Sequence, residues 1–98
     1  MKRHVFHLEA EQEYAAAAEY YAGIDPELGR RFYDEVERLI DDIRRHPNRF
    51  PCFDLFIRRH FSDVFPYALL WVDQMDRVLI IAVMHMSRRP GYWKQRLG

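Results

Sequence analysis

Val78-Leu79-Ile80-Ile81-Ala82-Val83-Met84 is an uninterrupted apolar run near the C-terminal end of the chain. It is far shorter than the roughly 20 residues a membrane helix needs. Its β-branched side chains suit a pleated strand. A strand apolar on both faces must be covered on both, so Val78 to His85 is expected in the middle of a sheet. The segment before it, Phe65 to Asp73, reads as a second strand, joined to the first by a turn at Gln74-Met75-Asp76. Phe53 to Phe61 reads as a third, with Phe56 near its centre and Arg58 and Arg59 near its end.

Upstream of Pro51 the apolar period lengthens. Leu28, Phe32, Val36, Leu39, Ile40 and Ile43 make one stripe of a helix. Asp25 can cap its free N–H groups, Pro26 suits its first turn, Arg44-Arg45-His46 oppose the negative end of its dipole, and Pro47 stops it. Arg30/Asp34, Arg31/Glu35 and Arg38/Asp42 are spaced to pair on its wet side. A preceding helix is expected from Glu9 to Ala22, where Ala10, Tyr14, Ala17, Ala18 and Tyr21 recur at helical spacing. Its alanines allow close packing, and Glu9, Glu11, Glu13 and Glu19 read as a solvated face. The link Gly23-Ile24-Asp25-Pro26 is short enough to make the two helices antiparallel. Residues 3–8 alternate polar and apolar, as a half-buried strand does.

The expected fold is α+β: a single domain over residues 1–98 in the order β-α-α-β-β-β. The helical hairpin packs on one face of a mainly antiparallel four-stranded sheet. Leu28, Phe32, Val36, Leu39, Ile40, Leu69, Ile80 and Ala82 are expected in one core. The hairpin covers only one sheet face. Tyr92 and Trp93 can cover part of the other, and a partner chain is expected over the rest.

With 98 residues, 49% of them hydrophobic, the chain suits one packed domain rather than a disordered one. No stretch resembles a signal peptide or membrane span, so a cytoplasmic protein is expected. The lone Cys52 has no internal partner for a disulfide. Cys52, His46 and His60 lack zinc-ligand spacing, and neither metal nor cofactor is expected. The net charge is zero, but acidic residues concentrate in residues 8–42, and every charge after Asp76 is basic: Arg77, Arg88, Arg89, Lys94 and Arg96. Such a tail suits a partner of negative charge. It suits equally well neutralisation by the acidic helices within the fold.

Phe65-Pro66-Tyr67-Ala68-Leu69-Leu70-Trp71 resembles the middle strand of ParE-type toxins. Ala82-Val83-Met84-His85-Met86-Ser87-Arg88-Arg89-Pro90-Gly91-Tyr92-Trp93, with Arg96 just after, resembles their C-terminal block. Pro26-Glu27-Leu28-Gly29-Arg30-Arg31-Phe32 and Pro47-Asn48-Arg49-Phe50-Pro51 are similar to their helix and loop segments. The ordered set covers nearly the whole chain and resembles the ParE-like branch of the RelE/ParE superfamily. That resemblance implies the toxin of a bacterial type II toxin–antitoxin system, of the plasmid-stabilization kind. It implies a small antitoxin partner that wraps the toxin. In the ParE branch the target is DNA gyrase, which is inhibited by binding. In the RelE branch the protein is an endoribonuclease that cleaves mRNA on the ribosome.

Metal-free RNA cleavage needs cations for the developing phosphorane charge and a group to take the 2′-hydroxyl proton. The resemblance implies one arginine directly after the tyrosine of the middle strand and another after the last strand. Here those positions hold Ala68 and Met86, or Arg88 in place of Met86 if the alignment of residues 84–90 slips by two. The cationic part of a nuclease site is therefore depleted, and a binding toxin is the expected reading over an enzyme. Arg58, His85, Arg88, Tyr92 and Lys94 are what remains for catalysis. Arg59, Arg88, Arg89, Trp93 and Arg96 are the candidates for target contact. Competing structural roles are also open: a hydrogen-bonded His85, a solvated strand end at Arg58-Arg59-His60, and a tail anchored through Tyr92-Trp93.

Overall fold

A computed structural model describes all of residues 1–98. Strand β1 (Arg3–Phe6) leads into helices α1 (Leu8–Ile24) and α2 (Pro26–Arg45). Strands β2 (Cys52–Asp54), β3 (Ile57–Phe61), β4 (Tyr67–Asp73) and β5 (Arg77–His85) follow, then a 3-10 turn at Lys94–Leu97. The sheet order is β1-β5-β4-β3-β2. β1 runs parallel to β5 and the other pairs are antiparallel. No helix is long and apolar enough to cross a membrane.

The helical hairpin turns on one residue. The Asp25 N–H donates to the Tyr21 carbonyl at 3.0 Å, and its carboxylate accepts from the Glu27 N–H at 3.0 Å. Asp25 thus ends α1 and caps α2, so α1 runs on through Gly23 instead of breaking there. The helices approach closely at Gly29, where an added Cβ would lie 2.6 Å from the Ala22 Cβ and 2.8 Å from its Cα. No rotamer relieves a clash with backbone. Gly29→Ala is therefore expected to lower the urea midpoint, because overpacking of about 1–3 kcal/mol outweighs a helix-propensity gain of about 1 kcal/mol. A raised midpoint would show that the helices do not meet there.

Phe32, Val36, Leu39, Ile40 and Ile43 of α2 and Ala10 and Ala17 of α1 are buried against Leu69, Trp71, Val78, Ile80 and Val83 of the sheet. Leu28 packs at the margin of this core. Ala82 does not belong to it. Ile57, Ala68, Leu70, Ile81, Ala82 and Trp93 form a second core on the opposite sheet face. The cause is a β-bulge: Leu70 pairs with Ala82 and Trp71 with Ile80, leaving Ile81 as an extra residue. Ile81 and Ala82 consequently face the same way, and the alternation reverses beyond them.

Other local expectations change as well. Phe53 to Phe61 is not one strand. It is a tight hairpin, with Leu55 at φ 53° and Phe56 in its turn, 53% exposed. Splitting this segment brings the sheet to five strands. Arg30 pairs with Glu27 rather than Asp34. Glu35 is not on the wet side: it is 8% exposed, and it accepts from Arg38 at 2.8 Å and from the Ser62 hydroxyl at 2.6 Å. These bonds, Arg38 first, hold its carboxyl below its ordinary pKa against the opposing effect of burial. Arg38 also reaches Asp42 at 3.3 Å, as its spacing implies.

Candidate target-binding surface

The chain leaves β5 at His85, turns through Ser87–Gly91 and returns over the second sheet face. Gly91 adopts φ 79°, a left-handed conformation that costs glycine little. Trp93, 3% exposed, seals Ile57, Ala68, Leu70, Ile81 and Ala82, each 0% exposed. The tail covers the middle of this face, as expected of Tyr92 and Trp93, while Phe53 and Phe61 remain exposed beside it. One large indole reaches across this area because the side chains at Ala68 and Ala82 are small.

Glu13 of α1 meets this segment from the other side of the sheet edge. Its carboxylate accepts from both Arg96 Nη atoms, at 2.8 and 2.9 Å, from the Tyr92 hydroxyl at 2.6 Å and from the Val83 N–H at 3.0 Å. It is not part of a solvated face; its side chain is 15% exposed. Arg96 also donates to the Ile81 carbonyl at 2.8 Å and is only 5% exposed. Among the target-contact candidates, Arg96 and Trp93 therefore hold the tail and present almost no surface. Burial, then the bond to Glu13, raises the Tyr92 phenol well above its ordinary pKa, the wrong direction for a general base.

Arg88 and Arg89 remain outward. The Arg88 guanidinium lies 3.8 Å from the centre of the Tyr92 ring and 3.7 Å from Glu13, with half its side chain exposed. Arg89 is exposed and its side chain makes no hydrogen bond or ion pair. Both line a polar cavity of about 420 Å³ with Glu9, Tyr92, Gln95 and Arg96. Arg59 lines a second groove, of about 320 Å³, with Phe53, Met84, Met86, Trp93 and Lys94. Its guanidinium lies 4.2 Å from the centre of Phe53 and 5.0 Å from that of Phe61. Lys94 in the same groove pairs with Asp54 at 3.3 Å.

Of the candidates for catalysis, Arg88 lies against Tyr92 and shares a pocket with His85, while Arg58 and Lys94 stand apart from them. Arg58 points to the helix side of the sheet, where it donates to the carbonyls of Phe50 and Asn48. Lys94 and Arg59 lie on the other side. His85 accepts at Nδ1 from the Ser87 N–H at 3.0 Å and sets its ring against Tyr67 at 5.0 Å. Ala68 is fully buried, and Met86 is half exposed without charge. No three His, Cys, Asp or Glu side chains gather as metal ligands would. Glu13 was legible only as an acidic helix residue, because nothing in the spacing of α1 tells which carboxylate reaches a partner some 80 residues away.

The family described as "ParE toxin of type II toxin-antitoxin system, parDE" matches residues 5–90. A solved structure, "Chromosomal ParDE TA system from P. aeruginosa", shares the fold with a TM-score of 0.76 at 12% identity. The match covers 89% of this chain and 98% of that one. No curated protein matches the chain.

Proposed function

Because the chain belongs to the ParE toxins of type II toxin–antitoxin systems, which implies an antitoxin partner, we propose that it is a cytoplasmic toxin that inhibits DNA gyrase by binding. The observation that carries this reading is the arrangement of the charges. The strand position that an RNA-cleaving relative fills with arginine is the buried Ala68. The remaining cations lie on separate sides of the sheet, while Arg88 and Arg89 are presented together on one loop. Exposed cations on one rim favour encounter with an acidic surface. Transition-state stabilisation needs donors aimed at one reacting group.

Expression of the toxin without antitoxin tests the proposal through two parallel readouts, supercoiling by purified gyrase and integrity of translated mRNA. Loss of supercoiling with intact message is expected. Codon-linked cleavage of mRNA with normal supercoiling would replace this reading with a ribosome-dependent endoribonuclease.

A further inference from the structure

We infer that Glu13 is a positioning residue: from α1 it holds the C-terminal segment in the one conformation that presents Arg88 and Arg89. This rests on the reading that those two arginines face the target. The reason for a carboxylate at this point lies in the sheet. β1 ends at Phe6, whose partner on β5 is Ile80, and the next residue, His7, donates its N–H to the Ile80 carbonyl at 2.8 Å. Beyond Ile80, β5 has no strand on that side. The Ile81 carbonyl and Val83 N–H are left to other partners, and unpaired buried backbone groups are costly. Glu13 accepts from Val83, and Arg96 donates to Ile81. The same two side chains pair with each other through two bonds. One ion pair therefore caps the open edge of β5 and fastens the tail to α1.

The fastening extends to the arginine loop through Tyr92. Its hydroxyl is bound by Glu13 at 2.6 Å, and its ring lies 3.8 Å from the Arg88 guanidinium and 5.0 Å from that of Arg96. Glu13 itself is 3.7 Å from Arg88. Removing the carboxylate leaves Trp93 as the main remaining anchor. It also leaves Arg96 almost fully buried with only Glu9, 3.9 Å from its Nε, as a counter-charge, a situation that undocking of the tail relieves.

Glu13→Gln and Glu13→Ala separate the two roles. Glutamine keeps an acceptor for Val83 but removes the charge opposite Arg96; alanine removes both. In Glu13→Ala, acrylamide quenching of Trp93 is expected to rise, with Trp93→Phe assigning that signal against the core Trp71. Exchange of the Val83 amide should accelerate. Affinity for gyrase should drop about tenfold if the docked fraction falls to about one-tenth. In Glu13→Gln, quenching and affinity should shift the same way while the Val83 amide stays protected. Glu11→Gln, on the exposed side of the same helix, should change none of these. If the alanine variant does not fold, the glutamine variant carries the test.

A Trp93 as shielded as in the unaltered protein would overturn the inference. So would a freed Trp93 with unchanged gyrase affinity. Arg88→Ala and Arg89→Ala distinguish the two levels of failure. If they weaken gyrase binding and the Glu13 variants do not, only the positioning role falls. If they too bind normally, the target-facing reading falls and takes this inference with it.

Discussion

Phe32→Ala is expected to remove about 3–5 kcal/mol of folding stability, the usual range for deleting a fully buried aromatic ring. The ring is 0% exposed and joins three elements. Its centroid lies 5.1 Å from Tyr21 of α1, 5.2 Å from Phe65 just before β4 and 5.1 Å from Tyr67 within β4. Tilted and edge-on contacts of this kind contribute beyond area alone. Collapse around the void is restricted, because Gly29 already brings the two helices into backbone contact one turn away. Domains of this size have total stabilities of roughly 5–15 kcal/mol, so the variant should unfold at a much lower urea concentration with little change in slope. Phe56→Ala is the matched control. Its ring is 53% exposed in the β2–β3 turn, and its loss should cost no more than about 0.5 kcal/mol. Equal midpoints for the two variants would contradict the assignment of the core.

The contrast between these two phenylalanines shows which features are legible in the sequence. Phe32 belongs to a stripe repeated over about four turns of α2, and a signal of that length survives local irregularity. Phe56 sits in a two-residue turn, Leu55-Phe56, with none of the glycine, asparagine or aspartate that usually marks a positive φ. The segment therefore reads as continuous strand. Ala82 fails for a related reason. Its parity matches Ile80, and only the extra residue at Ile81 turns it to the opposite face. A bulge is a property of the pairing with β4, which no single strand encodes. The cover over the second face is legible in kind, since Tyr92 and Trp93 are plain candidates for it. It is not legible in extent, because the small side chains at Ala68 and Ala82 let one indole close what looked too wide. Among the candidate site residues, the basic loop is visible as a run of charge. That Arg96 is held inside the fold depends on Glu13, far away in the chain.

Arg88→Ala and Arg89→Ala are each expected to weaken binding to gyrase roughly tenfold, the scale of about 1.4 kcal/mol per interface arginine. The double variant should lose about a hundredfold, because each side chain brings a separate charge to the contact. The Arg89 side chain makes no hydrogen bond or ion pair within the toxin, and Arg88, though paired with Glu13 at 3.7 Å, keeps half its side chain exposed, so both remain accessible to a target. Binding through exposed charges should also weaken as salt rises and the Debye length shrinks. The double variant should show the flatter salt dependence. Arg96→Ala should behave differently. Its guanidinium is enclosed by Glu13, Ile81 and Tyr92, so its loss acts through the tail, and salt should alter the effect little. A catalytic arginine predicts another pattern: one substitution removes about a hundredfold or more in rate, with little further loss in the double variant because the residues act as a unit. Equilibrium titration of gyrase at two salt concentrations with the three single variants and the double separates these cases. Collapse of activity at one arginine alone, independent of salt, would argue against a binding toxin. Two partial, additive and salt-sensitive losses at Arg88 and Arg89, set against a salt-insensitive one at Arg96, are the result expected from the structure.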